Sequence, residues 1–191
     1  MEKVMVVPTD IISTVIKDHG VVRENIIDIM KIIKENYYFM SRDIAENNKN
    51  VRQIIPYVVV VCRDKVFTLR RLNKQFEKRL HGKISLGVGG HINDIETPDQ
   101  NDVIMTNLLR ELNEEINIKQ INNLEFIGVI NDLSTEVSWY HIGLLYILRT
   151  NMNVTVAEQD KMEGKWVERK RLLDIKSDME TWSQMALEYL I

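Results

Sequence analysis

Apolar residues follow two patterns along the chain, recurring every three or four positions in some stretches and forming unbroken strand-length runs in others. Residues 5–7 read as a short strand, and over 22–37 the positions Ile26, Ile27, Ile29, Met30, Ile33 and Tyr37 repeat at helical spacing. Residues 41–51 are polar and rich in Asn, which predicts a helix end and a connection. The pattern therefore sets an N-terminal extension, residues 1–50, against a main domain over 51–191. That domain opens with the β-branched run 56–62, a turn at Asp64 and Lys65, and a hairpin partner over 66–71. A polar, basic connection over 72–83 leads to a strand over 84–88, punctuated by Gly87, Gly89 and Gly90. Residues 93–102, with Pro98 and several carboxylates and amides, read as a loop.

Met105, Leu108, Leu109, Leu112 and Ile116 then mark the apolar stripe of a helix. Asn101 is its expected N-cap, and its expected stop is near Asn117, a residue that tolerates the left-handed conformation of a helix end. Two longer strands follow over 124–131 and 137–148, the second placing Trp139 and Tyr140 on alternate faces. A short strand over 165–167 and helices over 168–175 and 179–190 close the chain. Strands, one central helix, more strands and then helices predict an α/β layered domain with a mixed sheet.

Composition narrows the class. A chain of 191 residues, 45% hydrophobic and 28% charged, buries one good core. A net charge of −3 with both signs interspersed gives no basic footprint for nucleic acid. Cys62 is the only cysteine, so no disulfide forms within the chain, and its apolar run reads as a buried strand. The first apolar stretch is cut at Pro8 and nothing later approaches a membrane span, which sets the expectation of a soluble cytoplasmic protein with no membrane partner.

The candidate chemistry lies on the central helix. Arg110, Glu111, Glu114 and Glu115 fall within six residues, and the three carboxylates occupy about one third of the helix circumference. Like charges so close repel, and a divalent cation is a natural compensation. Mg²⁺ takes hard oxygen ligands, which makes Glu114 and Glu115 the first choice, with Glu111 binding a second ion or orienting a water. Arg110 lies about a quarter turn away and is assigned to orienting a carboxylate.

Reading backwards from this helix, Gly90, Glu96, Arg110, Glu111, Leu112, Glu114, Glu115 and Ile118 resemble the Nudix box, Gx5Ex7REUxEExGU with U aliphatic. Glu96 keeps the five-residue spacing from Gly90, but thirteen residues separate it from Arg110 where the box has seven. Asp102 restores the count of seven, so either Glu96 or Asp102 stands for the first glutamate, and Asn117 replaces the last glycine. The runs 79–83, 87–92 and 137–144, with Gln53 to Tyr57 and the closing Trp182 and Ser183, resemble a bacterial branch of the MutT-like Nudix proteins.

That resemblance implies a Nudix-type α/β/α sandwich with a central mixed sheet. It also implies an Mg²⁺- or Mn²⁺-dependent hydrolase that cleaves a phosphoanhydride in a nucleoside diphosphate linked to another moiety. The backbone carbonyl of Gly90 would join Glu111, Glu114 and Glu115 as metal ligands, and the general base would lie either in the box or on a later loop, as Glu136 or Glu158. Arg70, Arg71, Arg79 and Lys83 flank the site as candidate phosphate donors, with Arg79 foremost, and His91 follows the glycine turn. His141 lies in an apolar strand and reads as a core residue, and at most one of Trp139 and Tyr140 stacks on a base. The expected partner is a small nucleotide or diphosphate, and a homodimer follows by analogy. Two alternatives share the fold: a ligand-binding module without turnover, and an isopentenyl-diphosphate-isomerase-like enzyme. The second needs a catalytic cysteine, whereas Cys62 sits in mid-strand.

Overall fold

A computed structural model describes residues 2–72, 82–94, 102–119, 121, 123–151, 153–157, 159–160 and 162–190. Its strands are β1 (Lys3–Pro8), β2 (Gly20–Val22), β3 (Tyr38–Ser41), β4 (Val51–Cys62), β5 (Lys65–Arg71), β6 (Ile84–Ser85), β7 (Gly87–Gly89), β8 (Ile116–Asn117), β9 (Asn123–Asn131), β10 (His141–Arg149), β11 (Thr155–Val156) and β12 (Met162–Glu168). Its helices are α1 (Thr9–Ile12), α2 (Ile26–Asn36), α3 (Arg42–Ala45), α4 (Val103–Glu115), α5 (Glu136–Trp139) and α6 (Thr181–Leu187). They form two compact units, Met1–Pro56 with Gly90–Leu108 and Ile127–Leu145, and Tyr57–Gly89 with Leu109–Phe126 and Tyr146–Ile191.

In the first unit β1 is a central strand. One edge pairs with β3, from Lys3↔Ser41 to Val6↔Tyr38, and the other with β4 at Val6↔Gln53, Val7↔Arg52 and Pro8↔Val51. Val4, Met5, Val6 and Val7 are all buried, so β1 reads as a continuous apolar run because both its faces are covered. Val4, Val6, Ala45 and Val51 make a small cluster against which Met40 packs. Residues 20–22 pair with β9 at Gly20↔Asn131 and Val22↔Val129, so Val22, the first residue of the expected helical stretch, ends a strand instead. Helix α2 starts only at Ile26, after Asn25 takes a left-handed φ of 53°, and buries Ile29 and Ile33.

In the second unit β4 turns into β5 through Arg63 and Asp64, with Cys62↔Lys65 closing the hairpin. The turn thus falls one residue earlier than expected, and Arg63 has a φ of 53°. β5 pairs along its length with β12, from Met162↔Arg71 to Glu168↔Lys65, so the last strand is twice as long as its apolar core suggested. β7 pairs with β4 at Tyr57↔Gly89 and Val59↔Gly87, and β6 with β5 at Leu69↔Ser85.

Hydrogen-bonded neighbours give the order β12-β5-β4-β10-β9-β2. Gln53 N–H donates to the Tyr140 carbonyl (2.8 Å), and Thr150 N–H donates to the Val61 carbonyl (2.9 Å). Later residues of β4 thus meet later residues of β10, so these strands run parallel while β12 with β5, β5 with β4 and β9 with β2 run antiparallel, and the sheet is mixed. One strand expectation and one helical expectation fail. Residues 136–139 form a helical turn instead of extending β10, because Thr135 caps them by accepting from Ser138 N–H. Residues 168–175 form 3₁₀ turns, Arg169–Arg171 and Leu173–Asp178, instead of one α-helix.

Candidate active site

Helix α4 is set at both ends by side chains. Asp102 caps its start, its Oδ1 accepting from Met105 N–H at 3.1 Å, and its carboxylate lies 3.9 Å from Lys34 Nζ. Asn101, the expected cap, and Glu96 lie outside the described residues. Asn107 on α4 is fully buried and was not singled out by the sequence. Its Oδ1 accepts from Asn93 N–H (3.0 Å), and its Nδ2 donates to the Asn93 carbonyl (3.2 Å) and the Val103 carbonyl (3.0 Å). A polar residue in the stripe between Ile104 and Leu108 was the available signal.

The helix end carries the charges. Arg110 Nη2 donates to Glu111 Oε1 at 2.7 Å, and Nη1 donates to both Glu114 oxygens, at 3.1 and 3.0 Å. Burial alone would lower the Arg110 guanidinium, but the adjacent Glu111 and Glu114 carboxylates outweigh it and raise it above its usual value. The Glu111 side chain is 14% exposed and that of Glu114 is 57% exposed. One guanidinium therefore already offsets the repulsion between two of the three carboxylates.

Among the described residues no three His, Cys, Asp or Glu side chains converge on one point as a metal cage. Mg²⁺ does not require such a cage, since it commonly takes one or two carboxylates and completes its octahedron with water and phosphate oxygens. Adjacent hard carboxylates held in place by Arg110 fit that donor demand.

Beyond Glu115 the chain runs straight into β8, which pairs with β11 at Thr155↔Asn117 and Val156↔Ile116. The Glu115 carbonyl accepts from Ala157 N–H at 2.9 Å, which satisfies a group the helix itself leaves open. Asn117 is therefore a strand residue and not the left-handed helix stop expected of it. Its Nδ2 donates to Thr155 Oγ1 (3.3 Å) and the Val156 carbonyl (3.2 Å), a side-chain tie that glycine lacks.

The other sequence candidates are distributed as follows. Gly90 directly follows β7. The His91 ring meets His141 edge-on at 5.9 Å, and His141 Nδ1 lies 2.9 Å from the Val137 carbonyl, so the proton sits on Nδ1. Trp139 and Tyr140 do not alternate along a strand: they end α5 with their rings T-shaped at 5.7 Å. Arg52, also missed by the sequence, lies 5.0 Å over the Trp139 ring and donates from Nη2 to Asn131 Oδ1 (3.0 Å) and the His141 carbonyl (2.8 Å). Burial lowers its guanidinium to about 10.

Glu136 opens α5 with its side chain 74% exposed, 3.4 Å from Lys49 Nζ. Lys83 Nζ donates to the Ser177 carbonyl at 3.3 Å. Arg70 is an exposed residue of β5. Arg79, Glu158 and the Arg71 side chain lie outside the described residues. Cys62 is buried at the end of β4, which offers no accessible thiol for the isomerase alternative.

Comparison with known proteins fits these parts to a family. No protein-family model matches the chain. It is 36% identical over 200 residues to Protein YmaB of Bacillus subtilis, a match spanning 99% of this chain and 97% of that protein. The crystal structure of Tm1382, a candidate Nudix hydrolase, is 31% identical and superposes with a TM-score of 0.87 over 99% of this chain and 98% of its own. A bifunctional NMN adenylyltransferase/ADP-ribose pyrophosphatase of Francisella tularensis, complexed with AMP and manganese, shares the fold alone. It is 17% identical, with a TM-score of 0.53 over 73% of this chain and 41% of its own. Among the described residues no helix is long and apolar enough to cross a membrane. With the REUxEE helix set by Arg110 and a mixed sheet that matches Tm1382 across nearly its whole length, the chain belongs to the Nudix hydrolases.

Proposed function

We propose that this Nudix hydrolase cleaves the diphosphate of a nucleoside diphosphate linked to another moiety, using Mg²⁺ or Mn²⁺. The observation that carries the reading is the Arg110 fork, which holds Glu111 and Glu114 on one helix face next to Glu115. Glu114 and Glu115 would hold the ion, with Glu111 binding alongside or orienting the attacking water; the box resemblance adds the Gly90 carbonyl. When bound, the ion neutralises phosphate charge and lowers the pKa of a coordinated water. In the reaction the water oxygen bonds to phosphorus, the bridging P–O bond breaks, and two phosphate-terminated products leave.

Within this scheme Arg110 orients the Glu111 and Glu114 carboxylates. Glu136, drawn to Lys49, is the described candidate for taking the water's proton. His91, Arg71, Arg79 and Lys83 are the candidate contacts for the substrate's phosphates.

The test is product release from dinucleotide, nucleotide-sugar and nucleoside triphosphate substrates with Mg²⁺ or Mn²⁺. Turnover is expected in the first two classes, with nucleoside monophosphate as a product. If none of the three is cleaved with either ion, the proposal is wrong.

A further inference from the structure

Within the first compact unit the N-terminal segment meets the end of β9 and the connection 132–135 that leads into α5. β2 pairs with β9 from Gly20↔Asn131 to Val22↔Val129, and Gly20 starts it with a φ of 118°, which residues with a side chain rarely adopt. The two residues before Gly20 make the next contacts. Asn131 Nδ2 donates to the Asp18 carbonyl at 2.9 Å, and Leu133 N–H donates to His19 Nδ1 at 3.0 Å.

That second bond fixes the state of the ring. An imidazole nitrogen that accepts a hydrogen bond carries no proton, so His19 is neutral with its proton on Nε2. An imidazolium has N–H on both nitrogens and accepts on neither, so protonation sets donor against donor and breaks the Leu133 bond. A second partner stands close by. Asp132 Oδ1 lies 3.9 Å from the same Nδ1, on a fully buried side chain. Ser134 N–H (2.9 Å) and Ser134 Oγ (2.6 Å) donate to that oxygen, and a carboxylate with roughly four lone-pair sites takes a further donor. Shielding from water strengthens its attraction for a new charge. The His19 side chain is itself 49% exposed, which gives the proton access from solvent.

The charged groups on the elements that meet here have other partners. Arg52 of β4 donates to Asn131 Oδ1 and the His141 carbonyl, and Glu136 of α5 lies 3.4 Å from Lys49 Nζ. Asp18 precedes His19 in its own segment. Among the described residues Asp132 is the carboxylate within ion-pair distance of His19.

We infer that His19 is a pH-sensitive latch between the N-terminal segment and the connection into α5. Neutral, it holds Leu133; protonated, it releases Leu133 and turns to Asp132. The device goes beyond the proposed hydrolysis and does not depend on it.

Amide exchange and ring nitrogen shifts by nuclear magnetic resonance test it on the full chain between about pH 8 and pH 5, where imidazoles titrate. At the upper pH the His19 proton is expected on Nε2 and the Leu133 amide is expected to be protected. At the lower pH the Leu133 protection factor, which removes the intrinsic pH dependence of exchange, should fall by about tenfold, as for a lost hydrogen bond. Amides of β9 that bond to β2 should keep their protection. His19→Asn supplies a carboxamide oxygen that accepts without titrating, and should keep Leu133 protected at both pH values. His19→Ala should leave it unprotected at both.

A proton on Nδ1 at the upper pH would overturn the inference. So would Leu133 protection that stays within about twofold while the His19 ring titrates. A fall in His19→Asn as steep as in the wild type would place the switch on another group and overturn it too. If that variant does not fold, the wild-type tautomer and titration still decide.

Discussion

Replacing Arg110 by Met keeps an apolar stem on α4 and removes the fork, and the structure sets the size of the effect. The bond to Glu111 is short, 2.7 Å, and Glu111 is mostly shielded, so it falls among charge-assisted bonds worth roughly 1.5–3 kcal/mol. The paired bonds to Glu114 reach a well-exposed carboxylate and are worth about 1 kcal/mol at most. Losing the guanidinium also restores repulsion between Glu111 and Glu114, roughly 0.2–0.5 kcal/mol for like charges one turn apart. Together the loss is about 2–4 kcal/mol, which lowers Tm by roughly 5–15 °C for a chain of this length.

The assay is thermal denaturation with and without millimolar Mn²⁺, beside steady-state hydrolysis. Hydrolysis by Arg110→Met should fall by about 10–100-fold, because the carboxylates lose the group that orients them. Added Mn²⁺ should raise the Tm of the variant less than that of the wild type, since carboxylates without their orienting partner bind the ion more weakly. An unchanged Tm, or hydrolysis within about threefold of wild type, would refute the assignment of Arg110 as the organiser of the carboxylates.

Three further outcomes follow from particular contacts. Burial pushes the Tyr57 hydroxyl up to about 12 from an ordinary 10.0, so the folded state keeps a proton that the unfolded chain releases. Tyr57 therefore contributes stability in full below pH 10 and loses it as pH rises to about 12; denaturant melts should show this decline, on the order of 2 kcal/mol, and Tyr57→Phe should abolish it. Gly87→Ala drives a Cβ into the Tyr57 ring and should cost about 1–3 kcal/mol by urea denaturation; a neutral result would mean that β7 can move away freely. Asn117→Gly restores the residue usual in the box but removes the tie to β11, so stability should fall by about 1 kcal/mol with little change in kcat, and a gain in stability would contradict the strand role of Asn117.

Much of this arrangement is legible in the residues themselves. The apolar stripe through Leu108 and Leu112 locates α4, and the carboxylates beside it are the ones that Arg110 engages in the structure. What is not legible is set by tertiary pairing. Val22 departs from the expected helical stretch because β9 offers it a backbone partner, and Asn117 does not take the left-handed conformation because β11 does the same. Trp139 looks like a strand residue until Thr135 caps a helical turn beneath it. Arg52 and Asn107 sit at apolar positions, where spacing argues against them, and only the acceptors they reach explain their burial. The bond from Leu86 N–H to Ser183 Oγ joins segments far apart in the chain and follows no local rule.

The central claim is that the α4 carboxylates bind the ion that drives phosphoanhydride hydrolysis, and the most direct test measures both on the same proteins. Mn²⁺ affinity by calorimetry and kcat/KM on the best diphosphate substrate should be compared for wild type, Glu114→Gln and Glu115→Gln. Each variant is expected to bind Mn²⁺ at least about tenfold more weakly and to lose about 100-fold or more in kcat/KM, as removal of a metal ligand should. Wild-type Mn²⁺ affinity in both variants, or hydrolysis within about tenfold of wild type in both, would contradict the account.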